Sequence, residues 1–163
     1  HVVTRRQRQM CIRDSSRTDG PTSIILSRQN LDSFVVQELY QLKMGGYFVS
    51  KKNDATVNLI ATGSEVGLAI EAEKLLTRDG INFNVLSVPC LETLLSNKNR
   101  YNEIFSSKTT NIVIECGHPN SWYKHTQNVI GIDCFGESGK GKDLMDHFGF
   151  TPEKITNKIK QMI

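Results

Sequence analysis

The chain has 163 residues, 38% hydrophobic and 23% charged, with a net charge of +3 at pH 7. That composition supports one packed core with extensions and excludes disorder throughout. It also argues against nucleic acid as the main partner, because cations crowd at Arg5, Arg6, Arg8 and Arg13 and the body is close to neutral. No apolar stretch reaches the length of a membrane span, and no signal-peptide core is visible at the amino end. Cys11, Cys90, Cys116 and Cys134 form no CxxC pair. Reduced thiols in a cytoplasmic protein are the expectation.

Residues 1–15 show neither helical nor strand periodicity. They resemble translated sequencing-adaptor sequence and are read as a non-native extension, with a basic nucleic-acid arm as the alternative. Gly20-Pro21 is a turn signal, and Ser23-Ile24-Ile25-Leu26 reads as a short buried strand. The strand ends at Ser27-Arg28-Gln29-Asn30. Open α/β sheets bind ligands at the carboxyl ends of their strands. An arginine there can grip a phosphate with two parallel hydrogen bonds. From spacing alone, a surface or interface ion pair is the plainer account of a lone Arg28.

Residues 32–44 suggest a short helix or linker, and Gly45-Gly46 a turn into a strand at Tyr47-Phe48-Val49. Val57-Asn58-Leu59-Ile60-Ala61 is the next strand. Thr62-Gly63-Ser64 turns into an amphipathic helix over 65–77, with Ser64 as N-cap, Glu65 complementing the dipole and Gly80 closing the end. A strand at 83–88 completes a parallel βαβ unit. Pro89 ends that strand. A short helix at 91–95, a polar loop at 97–102 and a third strand at 111–115 follow.

After a turn at Gly117 and Pro119, residues 121–128 read as a short helix bearing Trp122, the only tryptophan. A fourth strand at 129–133, a glycine-rich loop at 135–141 and a short helix at 143–148 come next. Thr151 caps the last helix, with Pro152 at its first position and Ile155, Ile159 and Ile163 on one face. The alternation predicts an α/β fold: an open, mostly parallel twisted sheet with helices on both faces.

Three stretches carry groups capable of chemistry. Thr62-Gly63-Ser64-Glu65 is a strand-to-helix turn, but it has one glycine and a repelling carboxylate, so a structural cap is the expectation. Glu115, Cys116, His118 and His125 match no standard zinc spacing. Gly136-Glu137-Ser138-Gly139, with Lys140 and Lys142, reads as a solvated loop. The four histidines support no nucleophile–base constellation.

Several strings together resemble one family in order and spacing. They are Asp19-Gly20-Pro21-Thr22 with Leu26-Ser27-Arg28-Gln29-Asn30-Leu31, Gly45-Gly46-Tyr47, Ala61-Thr62-Gly63-Ser64-Glu65-Val66, Val88-Pro89, Trp122-Tyr123-Lys124, Gly131-Ile132-Asp133 through Phe135-Gly136, and Phe148-Gly149-Phe150-Thr151. From about Asp19 onward the chain resembles the carboxy-terminal part of transketolases. One departure is Cys90, where many relatives carry serine.

The resemblance implies three parts: an extension at 1–15, the end of the pyrimidine-binding domain with a linker at 16–44, and the carboxy-terminal domain at 45–163. It implies transfer of a two-carbon ketol unit between sugar phosphates, in the pentose phosphate pathway, by a cytoplasmic homodimer. It implies thiamine diphosphate and a divalent cation, Mg2+ or Ca2+, held by parts outside this chain. It gives Arg28 the role of binding the substrate phosphate, and Glu115, Gly117 and Trp122-Tyr123-Lys124 a packing role. It leaves the 163 residues alone inactive. The alternatives are a free-standing α/β module without catalysis, which binds a nucleotide or anion between 65–77 and 136–141 or mediates assembly and has no need of Arg28, and a related ketol transferase such as dihydroxyacetone synthase.

Overall fold

The structure, a computed structural model, describes residues 18, 20, 21, 23, 31 and 39–163. The chain divides into two units, His1–Phe34 and Val35–Ile163. The elements below belong to the second. Residues 24–26 of the expected strand at 23–26, and Arg28, lie outside the described residues.

A 3-10 turn at Leu39–Met44 leads into β1 (Tyr47–Ser50). Then come β2 (Val57–Ala61), α1 (Glu65–Thr77), β3 (Phe83–Ser87), α2 (Leu91–Ser96), α3 (Lys98–Ile104) and β4 (Thr110–Ile114). A 3-10 turn at Pro119–Ser121, β5 (Asn128–Ile130), α4 (Gly141–His147) and α5 (Pro152–Lys160) complete the order. The strands form one sheet, ordered β1-β3-β2-β4-β5. β1 is antiparallel to β3, and every other pairing is parallel.

Both faces are covered, as the unbroken burial of β2 and β3 shows. On one face Ile60, Leu86 and Val113 pack with Leu94 of α2, Ile104 of α3 and Trp122. The alternate residues Leu59, Val85 and Ile112 point the other way and are equally buried. There α1 packs on β2 and β3, with α5 beside it. Val66, Ala69, Ala72 and Leu76 of α1 and Ile155 and Ile159 of α5 are buried at that interface.

Three asparagines run across the middle of this apolar sheet. Asn84, Asn58 and Asn111 each hold the second residue of a parallel stretch, and the register aligns them side by side. Lys52 N donates to Asn84 Oδ1 at 2.8 Å, and Asn84 Nδ2 donates to Asn58 Oδ1 at 2.8 Å. Asn58 Nδ2 then donates to Asn111 Oδ1 at 2.9 Å and to Ile104 O at 2.8 Å, with Thr109 Oγ1 at 3.0 Å. Asn111 Nδ2 closes the row on Thr109 O at 3.2 Å. Asn58 is 1% exposed, so its amide has no recourse to water.

The lead-in to the domain is tied down by Arg100, also buried. Its Nε donates to Gly46 O at 3.0 Å, and its other nitrogens reach Gln41 Oε1 and Glu103 Oε2, both at 2.5 Å. Gly45 has φ +83°, and a Cβ there would lie 2.2 Å from Leu94 N, so this approach admits only glycine.

Several expectations are corrected. Residues 97–102 are not a loop: Asn97 Oδ1 accepts from Arg100 N at 3.1 Å and starts α3. Residues 121–128 are not a helix. Only the Pro119–Ser121 turn forms, and the chain then turns at 122–125 to enter β5. The last helix stops at Lys160, leaving Ile163 47% exposed. Ser64 has helical backbone angles and makes no side-chain cap. Gly80, at φ +80°, falls one place later than expected, because Arg78 is the C-cap. Thr151 does cap α5, accepting from Lys154 N at 3.4 Å.

Replacing Asn58 with alanine strands the Asn84 amide and the Ile104 carbonyl in the core. We expect a loss of about 3 kcal/mol in urea unfolding, since each stranded buried group costs about 1–3 kcal/mol. A loss below about 0.5 kcal/mol, the size of an ordinary surface substitution, would contradict the assignment.

Candidate functional site at the strand switch point

From β2 the chain crosses through α1 to β3 on one side, then returns to β4 on the other side of β2. The strand order therefore reverses between β2 and β4. The crevice at the carboxyl ends of those strands is where sheets of this class take ligands. Here it is built from Thr62-Gly63-Ser64-Glu65 after β2 and Glu115-Cys116-Gly117 after β4.

The last paired residues of the two strands are Ala61 and Ile114, so Thr62 and Glu115 follow side by side. Thr62 Oγ1 donates to Glu115 Oε2 at 3.0 Å, and Trp122 Nε1 donates to the same oxygen at 3.3 Å. Gly117 N donates to Glu115 Oε1 at 3.1 Å. One carboxylate thus draws together the β2–α1 turn, the turn after β4 and the tryptophan. Trp122 is 2% exposed, and its indole N–H needs such an acceptor. Glu115 N in turn donates to Ile130 O at 3.0 Å, which places β5.

A second carboxylate, Glu65, is 5% exposed at the start of α1 and accepts from Ser64 Oγ at 2.7 Å. Cys116 lies between the two carboxylates. Burial pushes its thiol well above the usual range, and the charge of Glu65, a hydrogen bond to Glu65 and the charge of Glu115 push it further. The thiol therefore stays protonated, and its sulfur lies 3.7 Å from Met145 Sδ of α4.

The histidines named in the sequence do not join this site. His118 Nδ1 accepts from Asn120 N at 3.3 Å and caps the 3-10 turn. His125 Nδ1 lies 3.0 Å from Tyr101 Oη, in a ring cluster with Phe105 and Trp122. Among the described residues no group of three or more His, Cys, Asp or Glu side chains is placed to hold a metal. The loop at 135–141 is exposed, with His147 Nε2 3.5 Å from Glu137 Oε1. Sequence reasoning read Glu65 as a dipole partner and missed its depth, and it missed the bond from Thr62 to Glu115.

The model of the family described as transketolase-like TK C-terminal domain matches residues 45–151. The chain belongs to this family. It is 36% identical over 156 residues to the transketolase of Bacillus subtilis strain 168, covering 90% of this chain and 23% of that protein. It is 37% identical over 155 residues to transketolase 2 of Aliivibrio fischeri, with the same coverage. Among solved structures, the transketolase of Campylobacter jejuni superposes with a TM-score of 0.70 at 36% identity, covering 80% of this chain and 20% of that one. Transketolase from Pichia stipitis in complex with sedoheptulose 7-phosphate gives a TM-score of 0.76 at 29% identity, over 83% of this chain and 20% of that one. The chain thus spans about a quarter of the length of the curated relatives it matches (23%). The expected open, mostly parallel α/β sheet is the fold observed.

Two outcomes follow from the electrostatics of Cys116 and His125. Iodoacetamide at pH 8 should label the exposed Cys134 at least tenfold faster than Cys116, as peptide mapping would show. Comparable rates would contradict the protonated thiol. For His125, burial and then the charge of Lys124 hold its pKa below the ordinary 6.5. The unfolded chain then takes up the proton first, so stability is unaffected well above pH 6.5 and falls as pH drops through it towards the folded-state value. Urea midpoints at pH 8 and pH 5.5 should show a smaller difference for His125→Phe than for the parent chain.

Proposed function

We propose that the chain is the C-terminal portion of a thiamine-diphosphate-dependent transketolase, which moves a two-carbon ketol unit from a ketose phosphate to an aldose phosphate. The match of residues 45–151 to the family's C-terminal domain carries this reading. The curated relatives, each named a transketolase, support it. We take residues 1–15 as a non-native extension, 16–44 as the end of a pyrimidine-binding domain with its linker, and 45–163 as the C-terminal domain. The whole protein is then a cytoplasmic homodimer acting on sugar phosphates in the pentose phosphate pathway.

Thiamine diphosphate, with Mg2+ or Ca2+, supplies the carbanion chemistry when bound to such an enzyme. The crevice of this domain does not fit that group, because Glu115 already takes its three donors and leaves none for a diphosphate. Binding is therefore assigned to parts of the longer protein. Arg28 is the one residue of this chain given a role towards substrate. Its guanidinium holds the sugar phosphate by two parallel hydrogen bonds and so fixes the reacting carbon.

In the intact enzyme, Arg28→Ala should raise KM for phosphorylated substrates about 10- to 100-fold, the loss of a charge-assisted pair, with a smaller change in kcat. An unchanged KM would remove Arg28 from the site. The 163-residue chain given thiamine diphosphate, Mg2+ and a ketose–aldose phosphate pair should show no turnover. Measurable transfer would overturn its reading as a dependent part.

A further inference from the structure

We propose that the switch-point crevice is a carboxylate-binding site and that Glu115 is its resident ligand, so the domain holds the crevice closed from within. The inference rests on the geometry of this domain and is independent of the ketol-transfer reading.

The donors come from three separate segments: the Thr62 hydroxyl, the Gly117 amide and the Trp122 indole. They reach both oxygens of one carboxylate, as a bound acid would be held. The site lies where the strand order reverses, the position at which such sheets take metabolites. Gly117 belongs to the cradle as well. A Cβ there would lie 3.2 Å from Glu115 Oε1, so the amide approaches closely because no side chain intervenes. The neighbouring carboxylate, Glu65, is engaged separately by Ser64 and takes no part in holding Glu115.

The ligand class is a small monocarboxylate. Removing the Glu115 side chain beyond Cβ leaves the three donors facing a space of that size and polarity. The resident carboxylate is tethered and therefore outcompetes free acids, which is why the parent chain keeps the crevice shut.

Trp122 is the chain's only tryptophan and one of the donors, so its fluorescence reads the cradle directly. The test titrates the full 163-residue chain and Glu115→Ala with sodium formate, against sodium chloride at equal ionic strength. We expect Glu115→Ala to show a saturable shift in Trp122 emission with formate only. Half-saturation should lie no lower than about 0.5 mM, the limit for a ligand of three heavy atoms. The parent chain should show no shift. A second variant, Glu115→Ala with Thr62→Val, should weaken the formate response about tenfold through loss of one donor. Should Glu115→Ala fail to fold in chloride, recovery of the native emission on refolding in formate is the expected result. A formate response in the parent chain, equal effects of formate and chloride, no recovery in formate, or no weakening by Thr62→Val would each overturn the proposal.

Discussion

The amide of Asn58 sets the terms for the rest of this domain. It lies at the centre of a sheet buried on both faces, where an unpaired polar group costs more than most single contacts return. It is satisfied by Asn84 on one neighbouring strand and Asn111 on the other, with Ile104 O and Thr109 Oγ1 beside them. Leucine and isoleucine contacts tolerate a shifted strand far better than a row of amides does. The polar row therefore supplies specificity of register that apolar packing alone does not. The same register acts at the far end of β2 and β4, where it sets Thr62 beside Glu115. The amides at one end of the strands and the carboxylate cradle at the other are two consequences of one alignment.

That alignment bears on what the domain does. The fold offers a crevice at its switch point, and this sequence fills it with Glu115, backs it with Glu65 and keeps Cys116 protonated between them. The donors of the crevice are thus taken up by the chain's own Glu115. Arg100 extends the same logic to the amino-terminal side. It fastens the lead-in at Gln41 and Gly46 to α3, where its partner Glu103 also binds Lys51. Burial pushes the Glu103 carboxyl up, but the hydrogen bonds from Lys51 and Arg100, with their charges, outweigh it and hold the pKa below the ordinary value. This fastening is therefore intact at neutral pH and weakens as pH falls into the carboxylate range.

The strands and α1 were legible because their signals are local. Val57–Ala61 and Phe83–Ser87 are short apolar runs ended by turn residues, and Glu65–Thr77 has a 3.6-residue period. Residues 97–102 misled because they are polar but for Tyr101, and one cap at Asn97 with burial of Arg100 and Ile104 was enough to fix a helix. Residues 121–128 misled in the opposite sense. Trp122 looked like a helix residue, yet it is positioned by Pro119 and Glu115. The asparagine row was hidden in plain spacing. Each asparagine holds the second place of its strand, but the partners lie 26 and 53 residues apart, and only the strand order brings them together. Arg28 was legible only through family resemblance, since one cation after one strand has no local signature of its own.

The most direct test of the central claim replaces Asn58, Asn84 and Asn111 together with valine and records the indole region of a 15N correlation spectrum. The chain has a single tryptophan, whose N–H is bonded to Glu115 across the register in question. The account predicts that the single indole peak of the parent chain splits, or broadens beyond detection, as strand alignments compete. One sharp peak at the parent position would contradict it, and would show that apolar packing alone fixes the register.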